Sequence, residues 1–583
     1  MPEVVHRVLE QAQGAAPGPK RIVGAAWTRT WDKLLHLIFL PLLAATRPWQ
    51  LRFTLGTGLL GICQTAYRFE TIQRTLGELT HLHLGTPLRY GLCRVWVKTL
   101  VGTDAALQVY VDEHLKPHWT QIFMPCGHVT VLNRVMPCTR QVMVTTPRGA
   151  VLEILDQVGD APLSPTLLGL EREIERITRH RVTLTVVDRE ANSLELAQTY
   201  AKSDHFALLT LLDDPVTQGV VCGTPEMADR FHLTGRWQPL ADEPGASLAP
   251  AEWGPARANL ADPRVFWLVR EDTTQTLRAV YSLSQPVADC TPEVAALLRG
   301  SGARAVYRAR WPAMENVIRA MVAGANLNEN YGYTKQEVPN RLRQRQFAAA
   351  TAQVEVTQRQ LAHGAVQLEQ VQAHLAKQTE AIAAQQADVA QAQADRRQEQ
   401  QTRQAAGQAI RRVAQQLAHL ERQAQQLELR QARLVRRETE GRPAQLTGHQ
   451  KELETKLAER QATLATIDLT QPMFERDLEK DQIMTNFQAV LYNAHDWCCT
   501  HYFSGAWSRL ELESGLARIY RQRGRVVYAA HQVTVTLAAF AERAEQDLAE
   551  AACRKFNAAR VQDAARHLIV MGVAPFTHCV RHL

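Results

Sequence analysis

The spacing of hydrophobic positions changes along the chain, and each change predicts a different kind of element. Through residue 100 the pattern is helical. WDKLLHLIFLPLLAATRPWQ (31–50) reads as a buried helix ending near Pro48, and 65–101 as short helices punctuated by glycine and proline. Gly77, Gly85 and Pro87 offer turns for a DNA-binding helix-turn-helix; a plain helical packing domain fits the same pattern. From 106 the period becomes two. Leu107, Val109 and Val111 alternate with Gln108, Tyr110 and Asp112, which predicts a strand. RQVMVTTPRGAVLEILD predicts a hairpin, with strands at 140–145 and 150–155 about a Pro147-Arg148-Gly149 turn. An amphipathic helix follows, with Ser164 as N-cap before Pro165. RVTLTVVDRE then places Val182, Leu184, Val186 and Asp188 on one strand face, before a helix at about 193–202 and a strand at FALLTLL. This run of three strands, helix, strand, helix, strand leaves acids at the ends of its first and fourth strands, Asp112 and Asp188.

Residues 213–300 are rich in Gly, Pro and Asp around a hairpin at 264–284, and read as an inserted β-subdomain. A helix carrying Glu315 comes next. Over 351–465, Val354, Leu361, Leu368, Leu375, Ile382 and Val389 recur every seventh residue, and Ile410, Val413, Leu417, Leu420, Leu427 and Leu434 follow a heptad pattern. Sustained heptads predict a coiled coil, with a reversal near Gly407 and a break at 441–450: a non-catalytic antiparallel hairpin projecting from the core. Residues 466–583 read as helical apart from a strand pair at 524–540.

Composition narrows the class. A chain of 583 residues predicts more than one structural unit, and a formal charge of +7 is compatible with a polyanionic partner. The ten cysteines form no CxxC pair, which fits a reducing cytosol better than a zinc module or a disulfide scaffold. The most apolar run, residues 37–45, is far shorter than the roughly 20 residues of a membrane span, so no membrane partner is expected. No GxxxxGK[ST] loop and no HExxH is present, and His114 and His118 read as structural or solvated. Cys498 and Cys499 read as core, and PNRLRQRQ (339–346) as either a phosphate track or the solvated start of the coiled coil.

The candidate chemistry centres on YRARWPAMENVIRAM, residues 307–321. Glu315 and Arg319 have the spacing of an intrahelical ion pair. Alternatively Glu315 joins Asp112 and Asp188 in an all-oxygen site suited to Mg²⁺, while Arg310 and Arg319 bind phosphate and Tyr307 and Trp311 pack beneath or stack on a displaced base.

YVDEHLKPHW, LTVVDREANSLELA and YRARWPAMENVIRAM resemble the three acid-bearing segments of DDE-type insertion-sequence transposases, in the group whose third acid follows a Tyr-x-x-Arg signature after a β-strand insertion. NLNENYGYTKQEVPNRLRQRQ (326–346) is similar to the segment that follows the glutamate in relatives with a coiled-coil hairpin. The resemblance covers about 100–350, and more weakly the rest. It implies an α+β chain: a helical N-terminal region (1–100), a ribonuclease-H-like α/β catalytic core (101–212 and 301–350) split by the β-rich insertion (213–300), the coiled-coil hairpin (351–465) and a C-terminal helical region (466–583). It implies a catalytic, metal-binding triad of Asp112, Asp188 and Glu315, and use of two Mg²⁺ or Mn²⁺ ions. The implied partners are double-stranded DNA (terminal inverted repeats and target) and further copies of the chain, in a bacterial cytosol. Glu113 stands where many relatives have glycine, Arg310 and Glu315 are one residue further apart than in the best-known members, and Val322 stands where a later lysine is found. Other readings are a structural coiled-coil protein with a globular cap, and a decayed transposase that binds DNA without catalysis.

Overall fold

The computed structural model describes residues 5–8, 27–43, 45–52, 67–102, 106–203, 205–212, 219–255, 261–406, 411–563 and 566–576. The chain divides into two units, one formed by Met1–Glu337 with Phe474–Leu583, the other by Val338–Met473. In the first unit the described N-terminal residues include α1 (Trp27–Ile38), α2 (Phe69–His81) and α3 (Gly85–Trp96). Helix α1 ends at Ile38 rather than near Pro48, because Pro41 cannot continue an α-helical ladder; Leu40–Leu43 forms a single 3₁₀ turn. Gly77 lies inside α2, and the turn to α3 is made at His83, with φ +52°. The second helix of this candidate helix-turn-helix is packed into the core through Leu88, Leu92 and Trp96. Its Arg89 is buried too, donating to Glu153 at 2.8 Å.

The period-two segments form the strands of one large mixed sheet. In it are β1 (Leu107–Pro117), β2 (Cys126–Val129), β3 (Arg134–Thr145), β4 (Val151–Val158), β5 (Val182–Val187) and β6 (Ala207–Leu211). Between them lie α4 (Leu163–Thr178) after β4 and α5 (Leu194–Ala201) after β5. The N-cap of α4 is Pro162, so Ser164 falls inside the first turn instead of capping it. Across the sheet the order β4-β3-β1-β5-β6 places antiparallel β3 and β4 on one side of β1, and parallel β5 and β6 on the other.

The insertion does not form a sheet of its own. Its strands β7 (Phe231–Leu233), β8 (Gln238–Pro239), β9 (Ala246–Trp253), β10 (Val265–Glu271) and β11 (Leu277–Leu283) extend the same sheet, because β11 pairs antiparallel with β6. What is separate is a small core of its own, in which Phe231, Trp253 and Phe266 pack ring against ring.

Helix α13 (Glu479–Tyr502) is buried along most of its length, so the C-terminal region is part of the first unit and not a separate region. Its Gln482 and Asn493 side chains cover the free edge of β4, while Asn486 between them donates to the Gly85 carbonyl at 2.8 Å. Asn493 accepts from the Val151 amide (2.9 Å) and donates to its carbonyl (2.7 Å). Gln482 accepts from the Asp156 amide (2.9 Å) and donates to the Ile154 carbonyl (2.8 Å). An edge strand exposes unpaired backbone groups, and a side-chain amide can satisfy both kinds at once.

The second unit contains α10 (Arg341–Ala405), α11 (Arg411–Glu440) and α12 (Arg442–Ala465). Asn340 caps α10 by accepting from the Arg343 amide, which assigns PNRLRQRQ to a helix start. The return direction is antiparallel: Gln386 donates to Gln431, and Arg460 to the Gln353 carbonyl and the Thr357 hydroxyl. The arm is interrupted at Gly441, within the 441–450 break; Gly407 and Ile410 lie outside the described residues. The seam is thin: the buried residues of α10 are Val354 and Thr357, and those of α11 are Val413, Leu417 and Leu427. Leu417→Ala is therefore expected to destabilise this unit by about 2 kcal/mol, read by urea unfolding followed by circular dichroism; an unchanged curve would refute the seam.

Among the described residues no helix is long and apolar enough to cross a membrane, and the cysteines are free thiols.

Candidate functional site

Val111 and Val187 are register partners on parallel neighbours, so the next residue on each, Asp112 and Asp188, emerges at the same level of the sheet. Asp112 still belongs to β1, whereas Asp188 caps a 3₁₀ turn and accepts from the Arg189 amide at 2.8 Å. Facing them, α8 (Gly302–Arg308) is tied to β1 by the Tyr110 hydroxyl, which donates to the Val306 carbonyl at 3.0 Å. (Two shorter helices, α6 at Pro225–Arg230 and α7 at Pro292–Leu297, precede it.) A π-helical turn, Trp311–Glu315, then leads into α9 (Asn316–Gly324).

This turn explains the unusual Arg310–Glu315 spacing. At about 100° per residue, positions five apart on a regular α-helix point about 140° apart. A π turn bonds i to i+5 and turns such positions toward one another. Pro312 supplies the cause, since it lacks the N–H of a normal ladder. The Thr145 hydroxyl pins the turn to β3 by donating to the Ala313 carbonyl at 2.8 Å.

The three acids thereby meet on one guanidinium. Arg310 donates to Asp112 at 2.6 Å and to Glu315 at 3.1 Å, and lies 3.6 Å from Asp188. Asp188 also accepts from the Tyr307 hydroxyl at 3.0 Å. Burial pushes Asp112 up to about 7: Arg310 opposes the rise, and Glu315 and Asp188 add to it. Burial alone would lower the Arg310 pKa, but Asp112, Tyr307, Asp188 and Glu315 together raise it. Burial, followed by the Asp188 charge, raises Tyr307.

The four residues expected at the DNA are placed in two different settings. Arg310 is buried with its fork spent on the acids, and Tyr307 is buried with its hydroxyl spent on Asp188 and its ring 5.4 Å from that of Tyr281. Trp311 is 53% exposed, and the Arg319 guanidinium lies over its ring at 5.1 Å; these two remain at the surface. Arg319 is thus turned to Trp311, while the carboxylate of Glu315 is turned to Arg310.

Sequence reasoning marked Glu113 only as a departure from the resemblance and missed its surroundings. It pairs with Arg140, and burial pushes it up to about 8, with Glu190 adding to the rise. The signal was its place beside Asp112, where alternation sends it to the opposite face of the sheet. His114 and His118 are structural, bonded to Asn328 and Thr139.

Three carboxylates around one guanidinium leave negative charge that a hard divalent cation would neutralise, and all-oxygen donors are what Mg²⁺ takes. Among the described residues no three acid, imidazole or thiol groups stand together at ligating distance, since the guanidinium lies where the acids converge. The donor set fits the ion in kind and charge, and Arg310 is the group that would have to give way to it.

No protein family matches the chain, and no curated protein matches it. Among solved structures it is similar to a cryo-EM structure of the piggyBac transposase synaptic complex with hairpin DNA. The TM-score is 0.28 and the identity 11%, over 55% of this chain and 64% of that one. A likeness of that size assigns neither fold nor activity.

Proposed function

We propose that the chain is a transposase that cuts and joins double-stranded DNA at transposon ends, with Asp112, Asp188 and Glu315 holding Mg²⁺ or Mn²⁺. The observation that carries this reading is the meeting of three acids, from β1, the end of β5 and the π turn, on the single guanidinium of Arg310. The strand order β4-β3-β1-β5-β6 supports a ribonuclease-H-like core, which the resemblance in the acid-bearing segments also implies.

The bound ions would supply activation of the attacking oxygen and stabilisation of the leaving one. The chain's own residues prepare the rest. Tyr307 orients Asp188, and Arg310 holds the carboxylates together against their mutual repulsion until the ion and the phosphate arrive. Trp311 and Arg319 present an aromatic face and a cation at the surface beside the acids, where a DNA backbone would pass. Assembly of several copies on paired ends belongs to the same proposal.

The test is metal removal. Purified protein is incubated with a plasmid carrying the element's terminal repeats, in Mg²⁺, Mn²⁺ or EDTA. Nicking at the repeat ends and strand joining are expected with either ion, and none in EDTA. Cleavage that persists in EDTA, or no cleavage with either ion, would overturn the reading.

A further inference from the structure

Past Asp112, β1 runs on to Pro117, roughly 17 Å further at about 3.3 Å per residue. There the segment after the strand, the 330–335 segment and the turn at Arg47–Trp49 enclose two adjoining cavities of about 330 and 210 Å³, which share Arg47, Asn330 and Tyr333. The larger falls in the range that accommodates a small organic group, about 300–1,000 Å³.

Three rings line these cavities while staying open to solvent: Trp49 is 45% exposed, Tyr333 61% and Trp119 74%. Large aromatic side chains usually bury most of their surface, so three such rings along two adjoining cavities call for a ligand. Cations are interleaved with them. The guanidinium groups of Arg47 and Arg476 lie 5.9 and 5.7 Å from the centre of the Tyr333 ring, and that of Arg134 lies 5.9 Å from Trp119. Glu329 offsets Arg47, and Asp481 offsets Arg476, but Lys335 and Lys480 add ammonium groups, and among the described residues no carboxylate lines either cavity.

Rings set in hollows with cations between them are the pattern that recognises unpaired bases and their phosphates, because every base offers a π face and every linkage a charge. A duplex keeps its bases stacked on one another and does not offer them to such hollows. We infer that this groove binds a single DNA strand, with bases stacked on Tyr333, Trp49 and Trp119 and phosphates against Lys335 and Lys480. This rests on the proposed DNA-cutting reading for its biological setting: the groove would hold the strand freed beside the cut.

The test uses the full chain in EDTA and a fluorescein-labelled oligothymidylate of about 15 nucleotides, with a duplex of the same length as comparison, read by anisotropy. Tyr333→Ala and Trp119→Ala are each expected to weaken single-strand binding about tenfold, and duplex binding less than about twofold. Tyr333→Phe, which keeps the ring, should bind like wild type and guards against a folding defect. Lys335→Glu with Lys480→Glu should flatten the salt dependence. Unchanged single-strand binding in both ring variants would overturn the inference. So would full competition by thymidine monophosphate, which would make the groove a mononucleotide pocket. The two proposals fail separately. Oligothymidylate binding that depends on the rings, without metal-dependent cleavage, leaves the groove standing and removes the transposase reading; cleavage with ring-independent binding does the reverse.

Discussion

Replacing Asp188 with alanine is expected to reduce Mg²⁺-dependent cleavage at the repeat ends by about 10³-fold or more, while the protein folds and binds duplex DNA as before. The expectation follows from where the residue sits. Asp188 lies just past β5, its side chain is 39% exposed, and it accepts hydrogen bonds from the Arg189 amide of its own turn and from the Tyr307 hydroxyl, with Arg310 at 3.6 Å. Losing these costs little stability beside the loss of a charge aimed at the shared centre. Asp112 is the poorer choice for the experiment. It is nearly enclosed, and its removal would leave the buried Arg310 fork without its shortest partner, mixing a folding defect with a catalytic one. Asp188→Ala that cuts as well as wild type would sink the assignment of the triad. A loss of cleavage accompanied by a lower melting temperature would have to be repeated with Asp188→Asn, which keeps the side-chain volume.

The aspartates of the candidate site were legible because both depend on local pattern. A period-two run identifies β1 and β5, and an acid at the same level of two parallel neighbours follows once the strands pair. Glu315 was legible as part of a helix, but the π turn was not, although Pro312 carried the signal for it. The setting of Arg310 was not legible, for a reason that no single stretch contains. A guanidinium among other bases suggests a phosphate ligand, and only the tertiary fold shows that it is buried among three carboxylates contributed by distant segments. The same holds for α13. Gln482 and Asn493 break a simple amphipathic pattern, and their purpose exists only once the edge of β4 lies beside them. The insertion was legible as strands but not as an extension of the main sheet, because the pairing of β11 with β6 joins residues about 70 positions apart and leaves no periodic trace.

Asp481→Ala is expected to be the most damaging single substitution away from the acid cluster, at about 3–5 kcal/mol. Asp481 is fully buried on α13. It accepts from the Lys116 ammonium at 3.1 Å, lies 3.1 Å from Arg476, and accepts from the amides of Tyr331 at 2.8 Å and Gly332 at 3.3 Å. Lys116 is itself fully buried at the end of β1, so alanine would leave a buried ammonium, a buried guanidinium and two amides short of an acceptor. Burial alone would raise the Asp481 pKa, but Lys116, Arg476 and the Tyr331 amide outweigh it and hold the carboxyl below its usual range. A depressed carboxylate stabilises the fold above its unfolded pKa of about 3.9 and loses that contribution as pH falls through the folded value. Asp156 runs the other way, since burial raises it. His118 acts earlier on the same limb: burial, Arg476 and Lys116 push it down to about 3 from 6.5, so the unfolded chain takes up the proton first and stability falls as pH drops from about 6.5. Urea unfolding across pH would read both effects. Asp481→Ala should be much weaker than wild type at neutral pH and lose less on further acidification below about pH 4, while the decline that begins near 6.5 persists. Adding Lys116→Met should recover part of the loss, because the uncompensated ammonium is its largest component. A single variant as stable as wild type, or a double variant weaker than the single, would show that this buried network does not hold the end of β1 to α13.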